Sequence, residues 1–265
     1  MPVIGECKLC KNTGVELQAS HIIPRWAYKR MRDKSASGVN PNPIVISDGR
    51  AAQISDQIKE HLLCASCEQI LSKNEKYVSS IAYANDGTPV PLNILGAPHR
   101  STSPNDHSLA YLAIDSLETE KIVHFAASVV WRAHVATGND FKRVILGDKY
   151  AEEFRLYLLS QSDFPKNARV SMVILDQPPN SPHPRHNAIA FPTTKKENGY
   201  HRHATYLCGL LFEIWVGNKL PQHLNMVCLH HGTQKGAGLF LAEEIGIIST
   251  MTKQAKLSIP IGKLK

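Results

Sequence analysis

The chain has 265 residues, 43% of them hydrophobic, with a formal net charge of +7. This is enough for one large domain or for a small module joined to a larger one. No apolar run approaches the roughly 18–20 residues of a membrane span, and the opening MPVIGECKLC lacks a basic leader followed by an apolar core, so a soluble cytoplasmic protein is expected.

The positive excess permits a polyanionic partner without requiring one. It is spread along the chain, with 12 basic against 9 acidic residues up to position 100 and 18 against 14 after it. Of the six cysteines, four form two Cys-x-x-Cys pairs, Cys7 with Cys10 and Cys64 with Cys67. A disulfide framework belongs to short secreted chains, so metal binding is the better account. Four thiolates suit zinc, which is borderline-soft and closes tetrahedrally, leaving no open position for water. Such a site is structural, and its binding energy supports the folding of a small unit. The competing reading is a redox pair, which would sit beside a βαβ pattern that this region lacks.

Between the pairs lies LQASHIIPRW, residues 17–26, where His21 stands at the end of a strand-like run closed by Pro24. It reads either as a general base or as a core residue. The following RWAYKRMRDK places Arg25, Lys29, Arg30, Arg32 and Lys34 against Asp33 alone, interleaved with Trp26 and Tyr28. This is a solvated face or a basic patch. DKSASGVNPNP reads as a loop inserted between the halves of the metal site. A helix is expected from near the second cysteine pair, with Glu68 and Glu75 on one face.

Residues 84–108, rich in Pro, Gly, Asn and Ser, are expected to form a linker. DSLETEKIVHFAASVVWRAHVA reads as a buried helix, with Asp115 as N-cap and Glu118 completing a capping box. DKYAEEFRLYLLSQ repeats helical spacing. ARVSMVIL, NAIAFPTT, ATYLCGLLFEIWV and NMVCLHH read as strands, and GLFLAEEIGIISTMTKQAK as a closing helix. Cys208 and Cys228 read as buried and inert. The histidines of HPRH, HRH and LHHG are either surface residues or a second metal site.

CKLC, ASHIIPRW and LLCASCE together resemble the HNH nuclease superfamily in its four-cysteine zinc variant, over roughly residues 1–80. The match falls on Cys7, Cys10, His21, Pro24, Cys64 and Cys67. The resemblance implies a small ββα zinc module over 1–83; the elements after the linker read as a mixed α+β domain over 109–265, expected to recruit substrate or a protein partner. It further implies that His21 activates water for attack on a phosphodiester while Mg²⁺ or Mn²⁺ stabilises the phosphate. Arg25, Lys29, Arg30 and Arg32 would hold the backbone of a nucleic acid, with DNA expected ahead of RNA. A bacterial restriction or antiviral setting is the family association. Three positions depart from the pattern. Ser20 replaces the acid or histidine before His21, the middle asparagine is missing from QIKEH, and Glu68 stands where the final histidine or asparagine is usual. Glu68 is a competent hard-oxygen ligand, with Glu75 or His61 as its expected neighbours. The alternative is a zinc module that binds nucleic acid or a partner protein without cutting.

Overall fold

A computed structural model describes residues 1–31, 44–47, 50–53, 57–82, 110–113, 117–138, 144–176, 189–229, 236–241, 250, 253–254 and 256–261. The expected linker at 84–108 and the loop at 33–43 lie outside these residues. The first region comprises β1 (Val3–Gly5), β2 (Val15–His21), α1 (Arg25–Met31), β3 (Ile44–Ser47), β4 (Arg50–Gln53), β5 (Lys59–Cys64) and α2 (Ala65–Ala82). Next come β6 (Ala110–Ala113), α3 (Thr119–Val135), α4 (Asp148–Leu158), β7 (Ala168–Asp176), β8 (Ile189–Glu197), β9 (Tyr200–Leu207) and β10 (Leu210–Gly217). The one-turn α5 (Leu224–Val227), β11 (Gly236–Leu241) and β12 (Ile259–Ile261) follow.

This is a mixed α+β architecture with three sheets. β1, β2 and β5 pair antiparallel in the order β1-β2-β5. The six-stranded sheet runs β6-β11-β7-β10-β9-β8, and β11 is parallel to β7. β3 and β4 form a hairpin, which β12 joins in parallel. The insertion between the cysteine pairs therefore holds the strands β3 and β4.

α3 sits at the centre. Thirteen of its residues, Thr119 and Ile122 to Ala133, are buried, the pattern of a helix covered on all sides. One side meets α2, whose buried Cys67, Leu71, Val78 and Ile81 form a stripe. The other meets β10, where Leu210, Phe212, Ile214 and Val216 alternate inward and pair with Ile174, Met172, Val170 and Ala168 of β7. Phe125 packs edge-on against Phe212, with centroids 5.3 Å apart. A single hydrophobic cluster consequently runs from Cys7 and Leu9 through α2 and α3 to the large sheet.

Several expectations need correction. Glu118, not Asp115, occupies the N-cap of α3 and makes no side-chain cap bond; the Tyr77 hydroxyl instead accepts the Glu118 backbone N–H at 2.8 Å. ATYLCGLLFEIWV is a hairpin rather than one strand, turning at Cys208 and Gly209 with φ of 52° and 103°. Two left-handed residues suit a two-residue hairpin turn, but Cys-Gly is not its usual signature. In NMVCLHH, Asn225 to Val227 belong to the short helix α5 rather than to a strand, and its two histidines lie outside the described residues. GLFL belongs to strand β11, which pairs in parallel with β7; 242–249 of the expected closing helix lie outside the described residues, and helical residues are described at 250, 253–254 and 256–257.

His203 of β9 is fully buried and its Nδ1 shares a 2.9 Å hydrogen bond with Thr194 Oγ1. Burial first, then the neighbouring His201 and His134, push its pKa down to about 4. A depressed pKa adds stability above the unfolded value and loses it as pH falls through the folded value. Unfolding free energy should therefore drop by on the order of 3 kcal/mol from this residue between about pH 6.5 and pH 4. Denaturant titrations should show a flatter profile for His203→Gln across that window; an identical slope would contradict the assignment.

Candidate functional site

The hairpin of β2 and β5 leads straight into α2, and this path carries both cysteine pairs to one point. The Sγ atoms of Cys7, Cys10, Cys64 and Cys67 all lie within 4.8 Å of one another. Cys10 Sγ and Cys64 Sγ are 3.8 Å apart, far beyond a disulfide bond. A tetrahedron of ~2.3 Å zinc–sulfur bonds has edges of about 3.8 Å. The cluster can therefore hold a metal ion such as zinc.

The four thiols differ in how readily they ionise. Burial pushes the Cys64 thiol up, but hydrogen bonds from Ser66, the Cys67 backbone N–H and the neighbouring thiols outweigh it and bring it to about 6. Burial, then its contacts with Cys64 and Cys7, pushes Cys67 strongly up. Crowded thiols resist losing all their protons without a cation, so metal binding here should release protons and weaken in acid. Arg155 of α4 adds positive charge beside the knuckle. Its Nη1 donates to the Leu9 carbonyl at 2.7 Å, and Glu152 holds the guanidinium through two 2.7 Å bonds.

At the far end of the hairpin, His21 closes β2 opposite Lys59. Its Nε2 is hydrogen-bonded to Gln57 Oε1. An amide oxygen can only accept, so Nε2 carries the proton in this arrangement and Nδ1 has the free lone pair. Burial lowers the His21 pKa, as do the Lys59 and Arg132 charges, while Gln57 and Glu75 oppose the shift. The ring is therefore a neutral imidazole near pH 7, the state that a general base requires.

Arg132, 1% exposed in α3, holds this end in place. Its Nη1 donates to the His21 carbonyl at 2.7 Å, Nη2 to Glu75 Oε2 at 3.4 Å and Nε to the Ser128 carbonyl at 3.4 Å.

Among the described residues, the oxygen ligands expected for Mg²⁺ or Mn²⁺ do not assemble at His21. Ser20 is 1% exposed and its hydroxyl donates to the Gln18 carbonyl. Gln57 is engaged by the ring, and Glu75 by Arg132. Glu68 lies in the first turn of α2, and its Oε1 is buried with no hydrogen-bond partner among the described residues. The carboxylate whose charge acts on His21 is Glu75. Among the described residues the four cysteines form the only cluster of three or more His, Cys, Asp or Glu with metal-binding geometry. Among the described residues, these donors do not form a ligand set for a divalent ion beside His21.

Of the expected nucleic-acid contacts, Arg25 and Lys29 are exposed on α1, Arg30 is half-buried, and Arg32 lies outside the described residues. Cys208 and Cys228 are buried, as the apolar runs around them implied. Gln57, Lys59, Arg132 and Arg155 escaped the sequence reading. Only Arg132 left a signal, as the one guanidinium in an otherwise apolar helical run.

Comparison with family models, curated proteins and solved structures gives no match. A four-cysteine cluster is shared by many zinc modules, so the HNH resemblance rests on the quoted motifs alone.

Purified protein should contain close to one zinc per chain, and Cys64→Ser should lose both the metal and the folding cooperativity of the N-terminal region; elemental analysis and thermal unfolding read these together. Arg132→Met should cost about 3–5 kcal/mol, because it leaves Glu75 unpaired, whereas Arg25→Met on the exposed face should stay within about 0.5 kcal/mol.

Proposed function

We propose that this protein cleaves phosphodiester bonds in nucleic acid, with His21 as general base on a hairpin braced by zinc at Cys7, Cys10, Cys64 and Cys67. The observation that carries this reading is the state of His21. It is half-buried and neutral, and Gln57 fixes it so that one ring nitrogen is free to take a proton. Here the ring stands beside the exposed Lys59, next along the chain from the exposed Arg25 and Lys29. Cations in such places neutralise phosphate charge without reading bases.

The second reading is a zinc module that binds nucleic acid or a protein partner without cutting. Ser20, turned into the core, and Glu75, committed to Arg132, favour it, because both withhold the ligands that a metal-assisted hydrolysis needs.

Supercoiled plasmid, single-stranded DNA and RNA, incubated in parallel with and without Mg²⁺ or Mn²⁺, separate the two readings. Cleavage of at least one substrate is expected, falling by roughly 10²–10⁴-fold in His21→Ala and by a smaller factor in Gln57→Ala, with zinc content unchanged in both. Binding without cleavage by zinc-loaded protein would establish the second reading instead.

A further inference from the structure

The register of β2 against β5 sorts the residues around His21 by face. His21 pairs with Lys59, Ser20 with Glu60 and Ala19 with His61. Antiparallel partners share a face and successive residues alternate, so His21, Lys59 and His61 stand together while Ser20 and Glu60 point the other way. Burial and bonding agree with this assignment. Lys59 and His61 are exposed, and Ser20 is buried. Glu60 accepts the backbone N–H groups of Thr137 and Gly138 at 2.8 and 2.7 Å. Gln57, two residues before Lys59, continues the first face and meets the His21 ring there.

His21 and His61 are thus diagonal neighbours, roughly 7–8 Å apart along the ribbon, with the Lys59 ammonium beside them. Side chains placed so on one face can flank one phosphate, with an imidazole on either side and a cation for its non-bridging oxygens. Among the described residues at this end of the hairpin, Ser20 is turned into the core and Glu75 is paired with Arg132, so neither offers an oxygen to a hard divalent ion. A base, an acid and a single ammonium do little for attack by free water, but they suffice where the nucleophile is already tethered next to the phosphorus. Tethering replaces a bimolecular encounter and is worth several powers of ten in rate. In nucleic acid only the ribose 2′-hydroxyl meets that condition.

We infer that the face bearing His21, Lys59 and His61 cleaves RNA by internal transesterification without a catalytic metal ion. The inference rests on the reading of His21 as a base and specifies its substrate. His21 Nδ1 takes the proton of the 2′-hydroxyl as the 2′-oxygen bonds to phosphorus. The phosphorus–O5′ bond breaks, and the departing O5′ takes a proton from His61. Lys59 offsets the charge that builds on the non-bridging oxygens. The products are a 2′,3′-cyclic phosphate and a 5′-hydroxyl. The two imidazoles then exchange protons with water and regain their starting states.

The test uses the zinc-loaded full chain in buffer cleared of Mg²⁺ and Mn²⁺ by chelating resin, with a DNA oligonucleotide carrying one ribonucleotide and its all-deoxy counterpart. Cleavage is expected only after the ribonucleotide, with cyclic-phosphate and 5′-hydroxyl ends. It should fall by about 10²–10⁴-fold in His21→Ala and in His61→Ala, and measurably in Lys59→Ala. Because Lys59 and His61 are exposed, these variants should keep the wild-type zinc content and melting temperature. Cleavage of both oligonucleotides that requires Mg²⁺ or Mn²⁺ and leaves 5′-phosphates would overturn the inference while preserving His21 as a nuclease base. Undiminished cleavage by His61→Ala would also overturn it. No cleavage of either probe, with or without metal, would remove this inference and the nuclease reading together.

Discussion

A guanidinium with 1% exposure must be surrounded by acceptors, and this requirement at Arg132 sets much of the rest. Removing one partner of a buried charge typically costs several kcal/mol, so such a group tolerates little displacement of what surrounds it. Arg132 has three described partners on three segments: the His21 carbonyl at the end of β2, Glu75 on α2 and Ser128 in its own helix. By holding a backbone carbonyl and a carboxylate together, it fixes the end of one strand against the middle of a helix.

The same principle recurs wherever the region of the cysteine pairs meets the rest of the chain. Arg155 reaches the Leu9 carbonyl between the first pair, and Glu60 accepts two backbone N–H groups just past the end of α3. Cys208, at the tip of the β9–β10 hairpin, lies against the Ala27 carbonyl of α1. These directional contacts overlie a continuous apolar cluster. A hydrophobic contact alone allows sliding; charge-assisted bonds to backbone groups define a position. The cysteine cluster braces one end of the β2–β5 hairpin and Arg132 the other, so His21 is supported from both.

The sequence makes legible what local chemistry dictates. Two Cys-x-x-Cys pairs announce a tetrathiolate cluster, and the apolar run around Val129 and Val130 announces a buried helix. His21 at a strand end is visible for the same reason. Positions fixed across large sequence separations are not visible. Gln57 bonds to a ring 36 residues away and Arg132 to a carbonyl 111 residues away, and no periodicity connects them. Glu68 and Glu75 look equivalent, seven apart on one helix, yet only Glu75 meets Arg132. Lys59 and His61 share a face by alternation along β5, but that His21 joins them follows only from the register of β2 against β5, which the sequence does not reveal. GLFL reads as helix in sequence because a strand that pairs in parallel within a sheet carries the same apolar run as a helix.

The distance along the chain between partners bears on how the molecule is made. The pieces that pin the first 30 residues are distant: Arg132 lies 111 residues beyond His21, Arg155 146 beyond Leu9, and Cys208 181 beyond Ala27. A ribosome adding about 5–20 residues per second would need roughly 6–20 seconds to pass from the first histidine to its arginine. During that interval the cysteine pairs, only 54 to 60 residues apart, can already close around metal. The nascent hairpin then has one end fixed and the other loose, and its His21 end acquires its final geometry only when the centre of the protein has been synthesised.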